Sequence, residues 1–212
     1  MFGDPYRNEK RWNYKKIGAL FANISRGKQP SYVEDSNVRV INQACIYWDK
    51  INLEKVKYHD INSSKNYIIV SPGDLLINST GTGTLGRCNV VPNFCDDNIY
   101  IVDSHVTVLQ NSKEIDAIFF KWLLNYKGIQ KDFYIQCVNG STNQIELSKE
   151  KLRNYMIIVP PLDLQNQFAD FVAQVDKSKL VVQRGAWLAG LFIKTIHYIE
   201  SMHNKFHSDR RG

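Results

Sequence analysis

Along the first three quarters of the chain, apolar residues gather in short runs separated by turn-forming residues. Val38–Ile41, Tyr67–Val70, Asp74–Ile77, Ile99–Val102, His105–Leu109 and Tyr155–Val159 have the length and the β-branched and aromatic content of strands. One interval follows a different period. Ile115, Ile118, Phe119, Trp122, Leu123 and Tyr126 recur at helical spacing and predict a helix from Glu114 to about Ile129. Ser148 ahead of Lys151 and Leu152 predicts a further short helix before the last strand. Pro160-Pro161 then closes the segment, because proline neither donates to a ladder nor continues a helix. This predicts an α/β (mixed α+β) domain with a mixed β-sheet over residues 17–161. An extended lead-in precedes it over 1–16, where Gly3 and Pro5 oppose a helix.

Beyond Leu164 the period changes again. Steps of four and three residues pick out Leu164, Phe168, Phe171, Val175, Ser178, Val182, Gly185, Ala189, Phe192, Ile196, Ile199, His203 and Phe206, ten of them apolar. Such a seam predicts a long coiled-coil-like C-terminal helix over 162–212. At about 1.5 Å per residue the seam from Leu164 to Phe206 would reach roughly 65 Å, more than the preceding domain could cover. A second helix is therefore the expected partner, with Phe168, Phe171, Val175, Val182, Phe192, Ile196 and Ile199 as the dimerisation residues. An amphipathic helix folded back on its own domain is the plainer alternative. Gly185, costing about 1 kcal/mol against alanine, is the weak point of the seam.

Composition changes this picture little. With 43% hydrophobic and 12% aromatic residues in 212, the chain is of the globular class. No apolar run approaches the roughly 18 residues of a membrane span, and the opening MFGDPYRNEKRW is too polar for a signal peptide. Cys45, Cys88, Cys95 and Cys137 are scattered, without zinc-site spacing or disulfide density, and read as reduced thiols of a cytoplasmic protein. The net charge is +6, and residues 1–30 carry seven basic residues against two acidic ones. That is compatible with a polyanionic partner without demanding one.

No catalytic residue and no metal ligand set is expected. The histidines form no HExxH or Cys/His cluster, and neither a GxSxG elbow nor a GxxxxGK[ST] loop is present. Gly81-Thr82-Gly83-Thr84-Leu85-Gly86 matches GxGxxG after a strand, with Asp103 at a suitable distance. A dinucleotide site, however, needs a helix to begin there, and Arg87-Cys88-Asn89-Val90-Val91-Pro92 is β-like. The expected form is a glycine turn between strands. Asp96, Asp97 and Asp103 would be the ligands of an alternative, metal-using enzyme. His105, alone in its β-type run, reads as a structural histidine.

The polar loops point instead to binding. Arg26, Lys28, Gln29, Ser31 and Tyr32 share one turn, Asn42 and Gln43 follow a strand, and Thr80, Thr82, Thr84 and Arg87 line the glycine turn. Ser141, Thr142, Asn143 and Gln144 form another dense set of amides and hydroxyls. Such side chains suit groove reading: Asn and Gln can pair with adenine, Arg with guanine, and Ser or Thr with bases or phosphate. Arg26, Lys28 and Arg87 are expected on phosphates. Gln29, Tyr32, Asn42, Gln43, Thr82, Asn143 and Gln144 are expected near base edges. A protein-interaction module built on the C-terminal helix is the competing expectation.

In order, Lys28-x-Pro30-Ser31, Gly73-Asp74-Leu75-Leu76-Ile77, Gly83-Thr84-Leu85-Gly86-Arg87, Gly140-Ser141-Thr142 with Ile145 to Leu152, and Val159-Pro160-Pro161-Leu162 with Gln165 resemble one family. It is the specificity subunit of type I restriction–modification systems. The resemblance covers roughly residues 12–176 as a target-recognition domain, and the following helix resembles that family's spacer. Met1-Phe2-Gly3-Asp4-Pro5 through Trp12 resembles the stretch that opens a second recognition domain. A full-length member carries two recognition domains and two spacers, so this sequence resembles a half subunit. The resemblance implies a non-catalytic reader of one half of a bipartite site on double-stranded DNA. It implies methyltransferase (modification) and restriction subunits as partners, with S-adenosylmethionine, ATP and magnesium on those subunits and no cofactor in this chain. It also leads to the expectation of a homodimer through residues ~164–206.

Overall fold

The computed structural model describes residues 1–63, 66–112, 114–140, 145–179 and 181. Two compact units divide the chain, Met1–Asn166 and Gln167–Gly212.

The first unit is built on two four-stranded sheets, where the sequence pattern suggested one. The first sheet runs β2 (Phe21–Arg26), β9 (Val106–Ser112), β6 (Leu75–Asn78), β7 (Cys88–Val90) in spatial order, antiparallel throughout. The second runs β3 (Tyr32–Val33), β5 (Lys57–His59), β4 (Val38–Ile41), β8 (Ile99–Val102). It is mixed, because β4 and β8 pair in parallel while the other pairs are antiparallel. Strand alternation explains how the sheets meet. Val106 and Val108 of β9 and Leu76 of β6 share one core with Ile41, Tyr100 and Val102 of the second sheet. Val38, Val40 and Ile101, one residue out of phase, form a smaller cluster on the other face with Tyr67. The predicted strand Tyr67–Val70 makes only a single bridge, Ile69 to Ile101. Tyr67 turns its ring onto His59, 4.1 Å between centroids, and Pro72 and Gly73 end the run.

The remaining elements close the unit. A short strand β1 (Tyr14–Lys16) leads through one helical turn, α1 (Ile17–Leu20), into β2. It pairs with β12 (Met156–Ile158), so the lead-in belongs to the first compact unit. The predicted Glu114–Ile129 helix is two helices, α2 (Ala117–Leu124) and α3 (Lys127–Cys137). Asp116 caps the first by accepting from Phe119 N at 2.8 Å. The break falls at Asn125 for a long-range reason. Its amide accepts from Cys88 N at 3.3 Å and donates to Cys88 O at 2.8 Å, acting as a strand partner for β7. Gln130 Nε2 donates to Leu124 O at 2.8 Å, satisfying a carbonyl that the broken helix leaves open. A small hairpin, β10 (Val138–Asn139) with β11 (Glu146–Leu147), follows α3. The predicted short helix is α4 (Lys149–Asn154), with Ser148 accepting from Lys151 N. Residues 162–179 are helical. In the second unit Phe171 is exposed, and Phe168 and Val175 are half-buried. Val182, Phe192, Ile196 and Ile199 of the predicted seam lie outside the described residues. Among the described residues no helix is long and apolar enough to cross a membrane.

Two buried polar residues show opposite solutions to the same problem. Gln165, fully buried, accepts from Asp116 N at 2.9 Å and donates to Glu114 O at 3.1 Å and Pro160 O at 2.8 Å. It thereby ties the Pro160-Pro161 segment to the start of α2. Asp103, in the turn between β8 and β9, accepts from His105 N at 2.9 Å but is otherwise desolvated. Burial raises its carboxyl above the ordinary aspartate range, against the lowering effects of the His105 bond and of His105, Lys57 and Arg26.

Gln165→Ala is expected to cost about 2–3 kcal/mol in urea unfolding, since it strands a buried N–H and two carbonyls. A loss under about 0.5 kcal/mol would contradict that reading. Asp103→Asn tests the other case. With the folded carboxyl raised above its unfolded value, the folded state binds more protons in the window between the two. Stability therefore falls as pH rises through that window. The Asp103→Asn substitution is expected to raise the melting temperature at neutral pH, with the gain vanishing below the ordinary aspartate range. A loss of stability at neutral pH would show that the carboxylate is favourably paired.

Candidate nucleic-acid interface

Strand register brings the polar loops together. Arg26 at the end of β2 pairs with Thr107, and Asn78 at the end of β6 pairs with Val106, both at the start of β9. Ile41 at the end of β4 lies beside Val102 at the end of β8. The chain therefore leaves β2, β4, β6 and β8 at one pole of the two sheets. Backbone bonds draw these loops onto each other: Gly27 N to Val106 O at 2.9 Å, Ser79 N to His105 O at 2.8 Å, Leu147 N to Ser79 O at 2.8 Å. Gly27 is required by this closeness, since a Cβ there would stand 2.1 Å from Asp103 O.

The Gly81–Gly86 segment is a turn that enters strand β7, so no helix N-terminus is available to a pyrophosphate and the dinucleotide alternative fails. Gly81 has φ +94°, and a Cβ on it would fall 2.4 Å from Thr84 Oγ1 and 3.1 Å from Gln43 Oε1. The metal alternative fails on distance. Asp96 and Asp97 precede β8 and Asp103 follows it, separated by a strand rising about 3.3 Å per residue. Asp96 is occupied by Tyr100 Oη at 3.1 Å and Asn98 N at 3.2 Å, and the Asn98 side chain, followed by these two bonds, holds its carboxyl low against partial desolvation.

The expected binding residues divide into two groups. Lys28, Gln29, Tyr32 and Thr82 are exposed at the pole or on the adjoining strand β3. Gln29 Oε1 accepts from Ser104 Oγ at 3.2 Å, and Lys57 Nζ lies 4.9 Å from the centre of the Tyr32 ring. Gln43 and Thr80 are half-buried and joined to each other at 3.1 Å. The second group has bonds within the fold. Asn42 is buried, accepting from Ala44 N at 2.8 Å and donating to Lys55 O at 3.3 Å, so it is a capping residue with no edge left for a base. Thr84 donates to Thr80 O at 3.0 Å or Gly81 O at 3.2 Å and holds the turn. Ser31 N donates to His59 Nδ1 at 3.0 Å.

The arginines also have partners within the fold. Arg26 forms an ion pair with Glu146 and donates Nε to Ser104 O, and burial lowers its pKa. Arg87 donates to Gly83 O at 3.0 Å and Ile46 O at 3.5 Å, with its guanidinium 5.9 Å from the centre of the Tyr47 ring. Both guanidiniums brace the loops of the pole. Ser141, Thr142, Asn143 and Gln144 lie outside the described residues; β10 and β11 flank them, and Glu146 bridges to Thr80. Ser104 and Asn78, which the sequence reading passed over, belong to the pole, as does His105, which it read as structural. His105 Nδ1 lies 2.8 Å from Thr80 Oγ1, Ser104 holds Gln29, and Asn78 Nδ2 donates to Gln43 O at 3.1 Å. Their partners are 25 to 75 positions away, so no local pattern could have found them.

Three solved structures share the fold. One comes from work on complex assembly and conformational transition of the type I R-M system, at 16% identity and TM-score 0.58, covering 82% of this chain and 40% of that one. The HsdS subunit from Thermoanaerobacter tengcongensis matches at 17% identity and TM-score 0.55, covering 82% and 39%. The type I restriction–modification S subunit from M. genitalium matches at 13% and 0.53, covering 82% and 42%. The chain thus spans about two fifths of their length. No curated relative matches the sequence. Over residues 9–184 the sequence matches the family described as type I restriction modification DNA specificity domain, and the chain belongs to that family.

Proposed function

We propose that this chain is the DNA sequence-recognition element of a type I restriction–modification complex. It reads one half of a bipartite site on double-stranded DNA and directs methyltransferase and restriction subunits there. The observation that carries this reading is the gathering of Lys28, Gln29, Gln43 and Thr82 at one pole, in a member of the specificity family. Lys28 would meet phosphate, and the amides and hydroxyls would meet base edges in the major groove. The chain itself performs no chemistry in this account. S-adenosylmethionine, ATP and magnesium are assigned to the partner subunits, and the complex to the cytoplasm. Two half-site readers would be held together by a second copy of the C-terminal helix, through Phe168, Phe171, Val175, Val182, Phe192, Ile196 and Ile199. Exposed Phe171 supports this, as an aromatic ring that a helical partner would cover.

Selection from a random duplex pool, with the modification subunit present, is expected to yield a defined site. Lys28→Ala should weaken binding to all sequences alike and reduce the slope of log affinity against log salt by about 0.9. Enrichment of no sequence would contradict the reading. Light scattering at micromolar concentration should give the mass of two protomers, and Phe171→Glu the mass of one; one protomer for the unaltered chain would remove the dimer.

A further inference from the structure

The directions of the hydrogen bonds around Thr80 determine what Gln43 can offer. Thr80 Oγ1 donates to Gln43 Oε1 at 3.1 Å and lies 2.8 Å from His105 Nδ1. A hydroxyl has one proton, and a carbonyl oxygen can only accept. With the Thr80 proton given to Gln43, His105 Nδ1 must carry the proton that Thr80 accepts. The chain of donors runs His105 Nδ1–H to Thr80 Oγ1–H to Gln43 Oε1.

Gln43 is held at both ends. Asn78 Nδ2 fixes its backbone carbonyl at 3.1 Å, and Asn78 is itself completely buried. The backbone of Gly81 approaches its amide so closely that a Cβ would stand 3.1 Å from Oε1. With Oε1 turned to Thr80, the end of the amide left to bind is Nε2, which has no partner among the described residues.

We infer that Gln43 reads guanine, presenting its amide N–H2 to N7 and O6, and that His105 and Thr80 are the positioning residues that set this polarity. The usual pairing of glutamine with adenine needs the carbonyl outward to accept from N6 and the N–H outward to reach N7. Here Oε1 is turned to Thr80, and guanine alone offers two adjacent acceptors to the two protons of Nε2. The inference rests on the DNA-reading proposal and adds the base and the device that selects it.

The experiment uses the full chain with the modification subunit and the duplex selected for it. Each guanine of the site is replaced in turn by 7-deazaguanine, which lacks the N7 acceptor. At one position the unaltered protein is expected to lose about fivefold to tenfold in affinity. Gln43→Ala should lose no further affinity on that replacement. Thr80→Val should reduce discrimination between guanine and adenine there, and Thr80→Ser should retain it. Gln43→Glu, which turns an acceptor outward, should move the preference towards cytosine or adenine, whose amino groups donate. Melting curves establish that each variant is folded. Discrimination unchanged in folded Thr80→Val, or a 7-deaza penalty that persists in Gln43→Ala at every position, would overturn the relay while leaving DNA reading intact. Absence of any sequence preference in the unaltered protein would overturn both.

Discussion

The register of β9 between β2 and β6 is the constraint on which the rest depends. Val106 opposite Asn78 and Thr107 opposite Arg26 bring the ends of two strands to the start of a third. The same register directs Val106 and Val108 into the core between the sheets, where Leu76, Ile41 and Val102 meet them. A slip of one residue would turn Thr107 inward and those valines outward. Burying the valines and assembling the polar pole are therefore one event. Thr107, itself buried, marks the junction: its hydroxyl meets Ser79 Oγ at 2.6 Å, just below the loops.

At that pole, charge matters less than arrangement. The two guanidiniums that a charge count would assign to DNA are held by Glu146 and by carbonyls of Ser104, Gly83 and Ile46. They stiffen the loops from within. Among the described residues, Lys28, Gln29, Tyr32 and Thr82 are exposed and Gln43 is half-buried, a set that combines hydrogen-bonding side chains with positive charge. Preorganisation follows from the same bonds, since a side chain already held in place loses less freedom on binding.

Much of the fold was legible because local pattern and tertiary structure agree. β4 and β8 begin and end where alternation placed them, and Ser148 caps the short helix it announced. The failures share one cause, a partner far along the chain. Asn125 divides a helix because Cys88, 37 positions earlier, needs a strand partner. Tyr67–Val70 looks like a strand, yet its aromatic ring packs on His59 and only Ile69 bridges. The candidate site behaved likewise. The loops were identifiable by composition, but composition could not separate Gln43, whose Oε1 accepts from Thr80, from its neighbour Asn42, which caps a turn. His105 looked solitary because Thr80 is 25 residues away.

The central claim is that the pole carrying Thr82 faces DNA and the opposite pole does not. The chain supplies its own control: Cys95, the one exposed cysteine, lies between β7 and β8 at the far ends of the strands. A photocrosslinker attached to Cys95 of the unaltered chain is compared with one attached to a Thr82→Cys, Cys95→Ser variant, each with the modification subunit and the selected duplex. The account predicts crosslinks to DNA from position 82 and none from position 95. Crosslinks from position 95 alone would contradict it.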